Sequence, residues 1–180
     1  MRVIAGSARR TVLAAPKGQH TRPTADRIKE NLFNIIASHI PGARFLDLFC
    51  GSGAIGIEAL SRGCGEAVFV DLSKDAVSVT QANLAKAKLT GKVLPMCVFA
   101  AIARLGQEAK QFDIVFLDPP YGLGLLDRTL EALGQSSILA PEGIVIAECS
   151  VDGAVPETGP LVLQDTREYG GTKLMFYKIS

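Results

Sequence analysis

No run of about 20 apolar residues, the length a membrane span needs, occurs in this 180-residue sequence, although 48% of it is hydrophobic. The apolar residues fall in short runs, so no membrane association is expected. The start carries Arg2, Arg9 and Arg10 without a long apolar segment, which does not read as a secretory signal. Cysteine is sparse: Cys50, Cys64, Cys97 and Cys149 are scattered without C-x-x-C spacing. That argues against a zinc cluster or a disulfide framework, and for a reducing compartment. The reading is therefore a cytoplasmic protein without a metal. Neither of the two histidines stands with Cys50 in a recognisable nucleophile and base pattern, so Cys50 is expected to pack rather than react. Repeats and low-complexity segments are lacking too. A chain of this length can bury one sizeable core without room for a second full domain.

What is present is a regular alternation. After Pro41-Gly42, strands are expected near Phe45, Val68, Val93, Ile114 and Ile144, with helices starting near Ala54, Lys74, Ala101 and Leu123 and a short one before Leu139. Strand and helix in alternation predict an α/β fold: a doubly wound, mostly parallel seven-stranded sheet with ligands at the carboxyl ends of its strands. Leu161–Thr166 and Leu174–Ile179 flank Tyr169-Gly170-Gly171 and read as an antiparallel C-terminal hairpin. Before residue 41 stands an extension: a short hairpin (about Arg2–Ile4 and Thr11–Leu13), a polar loop through Pro16-Lys17-Gly18, and a helix from Thr24 to about Ser38. Thr24 is the expected helix cap. Ile28, Leu32, Phe33, Ile35 and Ile36 fall on one face, which leaves Arg27 and Lys29 free for phosphate. Residues 1–40 are thus expected to form an extension packed on a core domain of residues 41–180.

Three strand ends carry the chemistry. Ile114-Val115-Phe116-Leu117 runs into Asp118-Pro119-Pro120-Tyr121. The prolines fix φ and remove two N–H groups, which leaves carbonyls free to accept. Asp118 and the Pro119 carbonyl can together receive both hydrogens of an exocyclic amine, and Tyr121 offers a ring on which a planar base can stack. Upstream, the strand through Phe45-Leu46-Asp47-Leu48 enters Phe49-Cys50-Gly51-Ser52-Gly53-Ala54-Ile55-Gly56, a G-x-G-x-x-G turn opening a helix. Asp47, four residues before Gly51, would repel pyrophosphate and favours a cationic end such as an ammonium. Ala67-Val68-Phe69-Val70-Asp71 then ends in an acid 18 residues after Gly53, placed to accept two ribose hydroxyls. An amino-acid moiety and an unphosphorylated ribose together fit S-adenosylmethionine.

Through these motifs the chain resembles the Rossmann-like class I methyltransferases, and more narrowly the RsmD family of bacterial small-subunit rRNA guanine-N2 methyltransferases. Arg2-Val3-Ile4-Ala5-Gly6, Arg22-Pro23-Thr24-Ala25-Asp26-Arg27, Asn31-Leu32-Phe33-Asn34-Ile35 and Tyr169-Gly170-Gly171-Thr172-Lys173 carry the narrower likeness. The resemblance implies transfer of methyl from S-adenosylmethionine, with S-adenosylhomocysteine as product, to the exocyclic amine of a guanine in 16S rRNA. It implies Asp118, Pro119, Pro120 and Tyr121 as the catalytic set. Asp47, Phe49, Cys50, Gly51, Ser52, Gly53, Asp71 and Leu72 would hold the cofactor. Its adenine end is expected at Phe99-Ala100-Ala101, with Ala100 and Ala101 standing where related enzymes usually place an Asp or Asn, so that backbone groups or apolar packing would hold the adenine. A DNA adenine-amine methyltransferase shares Asp-Pro-Pro-Tyr but generally needs an added target-recognition region; a protein-glutamine methyltransferase typically begins the tetrapeptide with Asn. A non-catalytic RNA-binding assembly factor on the same fold is the alternative from another class.

Net charge of +1 conceals an asymmetry. Residues 1–44 hold eight Lys and Arg against Asp26 and Glu30, a net +6, and the rest of the chain carries −5. Such a segment is an expected footprint for a nucleic-acid backbone. Arg2, Arg9, Arg10, Arg22, Thr24, Arg27 and Lys29, with Tyr169, Thr172 and Lys173 in the C-terminal turn, are the expected RNA contacts. The partner would be 16S rRNA within a small-subunit particle or assembly intermediate, bound by a monomer.

Overall fold

The computed structural model describes residues 1–17, 23–156 and 158–180. Its elements in chain order are α1 (Pro23–Ile35), a 3-10 turn (Ala37–His39), β1 (Arg44–Leu48), α2 (Ala54–Ser61), β2 (Glu66–Asp71), α3 (Lys74–Ala87), β3 (Lys92–Pro95), α4 (Val98–Gln107), β4 (Phe112–Leu117), α5 (Leu125–Gly134), β5 (Leu139–Ser150), β6 (Leu161–Tyr169) and β7 (Thr172–Ile179). The seven strands form one sheet in the order β3-β2-β1-β4-β5-β7-β6, in which the first five pair in parallel. β7 enters antiparallel between β5 and β6, which is the expected C-terminal hairpin. Among the described residues no helix is long and apolar enough to cross a membrane.

The two-residue period of the strands sorts each one's side chains between two helical layers. Phe45, Phe69, Ile114, Phe116, Ile144 and Ile146 face a core with α1, α2 and α3. Leu46, Leu48, Val68, Val70, Val115, Leu117, Val145 and Ala147 face the other core with α4 and α5. Asp47, Asp71, Asp118 and Glu148 continue the first parity at the carboxyl ends of four neighbouring strands. The sequence alternation thus delivers four acids to one face of one sheet edge.

Several elements depart from expectation. α1 begins at Pro23, a residue suited to a first helical turn, so Thr24 stands inside that turn rather than at the cap. The helix stops at Ile35 and continues as a 3-10 turn. α4 begins at Val98, three residues before Ala101, and α5 at Leu125. Among the described residues no separate short helix stands between α5 and Leu139; Ser136 instead makes a side-chain turn with Leu133. The N-terminal hairpin is reduced to one bridge, Arg2 with Val12, flanked by backbone bonds between Val3 and Thr11 and between Arg10 and Val3.

The extension shares the core of the sheet rather than sitting beside it. Val3, Ala8, Leu13, Ile28, Leu32, Phe33 and Ile36 are buried in the same cluster as Phe45 and Phe69. Polar hooks complete the attachment. The buried Glu58 carboxylate of α2 accepts from the N–H groups of Ile4 and Ala5 at 2.8 and 3.0 Å, and Ser61 Oγ accepts from Ala8 N–H at 2.9 Å. Gly6 passes so close to α2 that an added Cβ would lie 1.7 Å from the Ser61 carbonyl oxygen. Asn83 of α3 accepts from Ala14 N–H and donates to its carbonyl.

Candidate active site

The glycine turn at the end of β1 is built from left-handed backbone. Phe49, Gly51 and Gly53 have φ of 61°, 54° and 75°, and of these only the glycines adopt it without strain. Each glycine meets a different need. Gly51 N–H donates to Asp71 at 2.9 Å. Gly53 is the N-cap of α2 and packs where a Cβ would press on Thr80. At Gly56 a Cβ would come within 2.3 Å of the Phe69 ring, so α2 lies directly on β2. α3 braces the turn from below, with Thr80 Oγ1 donating to the Gly51 carbonyl and Asn83 Nδ2 to that of Ser52. Thr80 and Asn83 are buried polar residues on α3 that the motif spacing does not reveal.

Two cavities meet at this turn. The inner one, about 210 Å³, is lined by Asp47, Phe49, Cys50, Gly51, Ser52, Asp118 and Glu148, and on its other side by Met1, Ile28, Lys29 and Leu32 of the extension. The outer one, about 690 Å³, is lined by Phe49, Gly51, Val70, Asp71, Leu72, by Met96 to Phe99, and by Asp118 to Tyr121 with Leu123 and Leu125. Phe49, Gly51 and Asp118 line both. The small cavity sets the charged Lys29, Asp47, Asp118 and Glu148 among apolar side chains and the large one is mainly apolar, which suits a ligand with a charged end and a planar heterocyclic end.

Asp47 is buried, and its one hydrogen bond comes from Gly56 N–H in the first turn of α2 at 2.9 Å. Burial pushes its carboxyl up to about 7, against the pull of that hydrogen bond. A carboxylate so placed lacks a cation, and an ammonium would supply one. Asp71 accepts from Gly51 N–H through one oxygen and from Ser73 N–H through the other, each at 2.9 Å. It therefore holds the glycine turn as well as facing the outer cavity, with lone pairs left on both oxygens. Asp118 is reached by solvent along the cleft, while the protein around it raises its carboxyl to about 6. Tyr121 is 63% exposed at the mouth of the outer cavity, beside Leu123 and Leu72 at 64% and 72%.

Of the stretch Phe99-Ala100-Ala101, Phe99 lines the outer cavity and the two alanines line neither the inner nor the outer one. Ala101 is fully buried against the second core and Ala100 is exposed on α4; neither lines a cavity. Because α4 starts early, the residues that follow β3 into the cavity are Met96, Cys97, Val98 and Phe99. Phe99 is held from behind by Arg128 of α5, whose guanidinium stands 4.8 Å from the ring centre. Cys50 is buried, with Sγ 3.6 Å from Thr80 Oγ1, and burial raises its thiol well above the ordinary range. Packing, not reactivity, is its state in the fold.

The expected RNA contacts divide. Arg2, Arg9, Arg10 and Arg27 are exposed and line a common cavity of about 360 Å³ with Asp26 and Glu30. Arg22 lies outside the described residues, as does the side chain of Thr24. Lys29 is not free: it is 3% exposed, donates to the Arg2 carbonyl at 2.6 Å and pairs with Glu58 at 3.4 Å. Lys173 is likewise buried and donates to the Gly153 carbonyl at 2.9 Å. Both long side chains are spent on internal acceptors that are remote in sequence. Tyr169 and Thr172 are half-buried at the hairpin turn, Tyr169 against the first core.

A family model described as Conserved hypothetical protein 95 matches residues 1–178. The Escherichia coli (strain K12) Ribosomal RNA small subunit methyltransferase D is 36% identical, over 87% of this chain and 78% of that protein. The chain belongs to the RsmD family of methyltransferases. YlbH of Bacillus subtilis (strain 168) is 39% identical over 99% of this chain and 98% of its own length. The solved structure of yhhF from Escherichia coli superposes with a TM-score of 0.88 at 33% identity, covering 100% of this chain and 98% of that one. The RsmD-family fold is thus the class I S-adenosylmethionine-dependent methyltransferase fold, with its mostly parallel sheet and antiparallel hairpin.

Proposed function

We propose that this RsmD-family protein transfers a methyl group from S-adenosylmethionine to the exocyclic N2 amine of a guanine in 16S rRNA, within a small-subunit particle or an assembly intermediate. The observation that carries this reading is Asp118, which stands where the charged inner cavity opens into the apolar outer one. Any ligand spanning both cavities presents its middle to that carboxylate. S-adenosylmethionine supplies, when bound, a methyl group on a sulfonium between an amino-acid end and an adenosine. Asp47 suits the ammonium, Asp71 the ribose, and Met96 to Phe99 the adenine.

An aromatic amine is a weak nucleophile because its lone pair is delocalised into the ring. Asp118 and the Pro119 carbonyl accept its two N–H groups and turn the lone pair out of conjugation, in line with the bond to be broken. The amine nitrogen forms the new bond to carbon as the sulfur to methyl bond breaks. One amine proton of the methylated, positively charged amine would then pass to Asp118 and on to solvent, leaving S-adenosylhomocysteine as the second product. Tyr121 offsets part of the cost of unstacking the base, ~1–3 kcal/mol. The experiment that tests the whole reading is a map of methylated nucleotides in 16S rRNA from cells with and without the protein. One guanine should lose an N2-methyl group in its absence, and an unchanged map refutes the assignment.

The pKa of Asp47 gives a pH dependence. The free protein holds a proton there up to about pH 7, and a bound ammonium favours the ionised form, so binding releases that proton. Cofactor affinity should therefore rise with pH through that value. Calorimetry across this window should show tighter binding at the alkaline end and a flatter profile in Asp47→Asn. A flat wild-type profile would place the ammonium elsewhere.

The arginine cavity is read as the dock for the RNA backbone. Replacing Arg2, Arg10 and Arg27 by Gln should lower rRNA affinity and reduce the slope of log K against log salt by about 0.7–0.9 per lost phosphate contact. Cofactor affinity should be unchanged, since none of the three lines the inner or outer cavity. A triple variant with the wild-type salt slope would assign this charge to a solvated face.

A further inference from the structure

The acid at the end of β5 takes no part in the mechanism above. Glu148 follows Ala147, which is in register with Leu117 of β4. It therefore stands level with Asp118 on the adjacent parallel strand, about 4.8 Å away across the sheet. Its parity is that of Ile144 and Ile146, so it faces the same layer as Asp47 and Asp118. The carboxyl borders the inner cavity and also a cavity of about 290 Å³ behind the tetrapeptide, lined by Pro119, Pro120, Tyr121, Cys149 and Gly153 among others. Among the described residues it accepts no hydrogen bond and pairs with no cation. Glu148 is half-buried, whereas the two fully buried carboxylates of this layer have donors: Asp47 has Gly56 N–H, and Glu58 has Ile4, Ala5, Arg62 and Lys29.

We propose that Glu148 reads the target base, accepting the N1–H of guanine beside the amine held by Asp118 and the Pro119 carbonyl. This rests on the guanine-N2 reading above and adds to it a residue that selects guanine. Guanine carries N1–H and the N2 amine side by side on its Watson–Crick edge, so two acceptors on neighbouring strands match two adjacent donors. Adenine presents an acceptor at N1, which a carboxylate repels. Burial and the Asp118 charge hold the Glu148 carboxyl up at about 8 in the free protein, the mark of an acid that lacks the donors a ligand would bring. An acceptor left unpaired in a closed site penalises the wrong base far more than a missing contact in water does.

The test uses 16S rRNA carrying either guanine or 2,6-diaminopurine at the mapped nucleotide, naked or reconstituted into small subunits, whichever form accepts methyl. Diaminopurine keeps the N2 amine but has no hydrogen at N1. In single-turnover assays above pH 8, where the Glu148 carboxyl is ionised and accepts rather than donates, the wild type should prefer guanine by about 10- to 100-fold, the value of one charge-assisted hydrogen bond. Glu148→Gln should lose most of its rate on guanine and erase or invert the preference, because its amide can donate to the diaminopurine N1. Its cofactor affinity, measured by calorimetry, should match the wild type. Equal wild-type rates on the two bases overturn the proposal without any variant. So does a Glu148→Gln protein that keeps the guanine preference, or one altered only in cofactor affinity, which would make Glu148 a second ammonium ligand. A methyl group mapped to another atom refutes the guanine-N2 reading itself, a result separable from all of these.

Discussion

Asp118→Ala should lower the rate of methyl transfer by roughly 10²–10⁴-fold, the range for removing a group that positions and accepts a reacting proton, while cofactor affinity stays close to wild type. The asymmetry follows from where the side chain stands. Asp118 borders both cavities but makes no side-chain hydrogen bond among the described residues, whereas Asp47 and Asp71 each hold part of the glycine turn. Single-turnover transfer from a radiolabelled donor, set beside calorimetry of cofactor binding, separates the two effects. Asp118→Asn should fall between, since its amide keeps one acceptor but loses the charge. Transfer by Asp118→Ala at near the wild-type rate would reduce the tetrapeptide to a turn leaving the sheet. Asp71→Ala is a poorer probe, because it also frees Gly51 N–H and Ser73 N–H.

Such a division of labour was partly legible in the sequence, and for a physical reason. A carboxylate at the end of a buried apolar run marks the carboxyl edge of a parallel sheet, and Asp47, Asp71 and Asp118 all stood there. Glu148 obeys the same rule after Ile144-Val145-Ile146-Ala147. What hid it is that β5 continues to Ser150, so the acid lies within the strand rather than at an apparent turn. That Ala100 and Ala101 turn away from the outer cavity was hidden because α4 starts at Val98 with no side-chain cap to announce it. Lys29 and Lys173 looked like surface charges since nothing local contradicts that. Whether a lysine is buried depends on a partner far along the chain, here Glu58 and the Gly153 carbonyl, and helical periodicity carries no information about partners in other elements. Arg44 shows the same limit: its guanidinium forms a two-pronged pair with Asp113 on the neighbouring strand, the shorter contacts at 2.9 and 3.0 Å, and so leaves the basic footprint.

The partner that decides Lys29 also decides how the extension is held, which leads to the largest expected loss of stability. Glu58 is fully buried on α2 and gathers four donors: the N–H groups of Ile4 and Ala5, Arg62 Nε at 2.8 Å and Lys29 Nζ at 3.4 Å. Glu58→Ala would leave the buried Lys29 ammonium with the neutral Arg2 carbonyl and, as its remaining carboxylate, Asp26 at 3.9 Å. Removing one partner of a buried pair costs about 3–5 kcal/mol, because the other charge remains uncompensated. In a domain of this size that should lower the melting temperature by roughly 6–20 °C. The double variant Glu58→Leu with Lys29→Met should be more stable than Glu58→Ala alone, since it removes both charges and fills their space. It should nonetheless bind rRNA more weakly than wild type, because the Arg2 carbonyl and the Ile4 and Ala5 amides lose the anchors that hold Arg2, Arg9 and Arg10 beside α1. Thermal denaturation of the two variants decides the matter: a Glu58→Ala protein that melts with the wild type would mean the ion pair is incidental and apolar packing alone seats the extension.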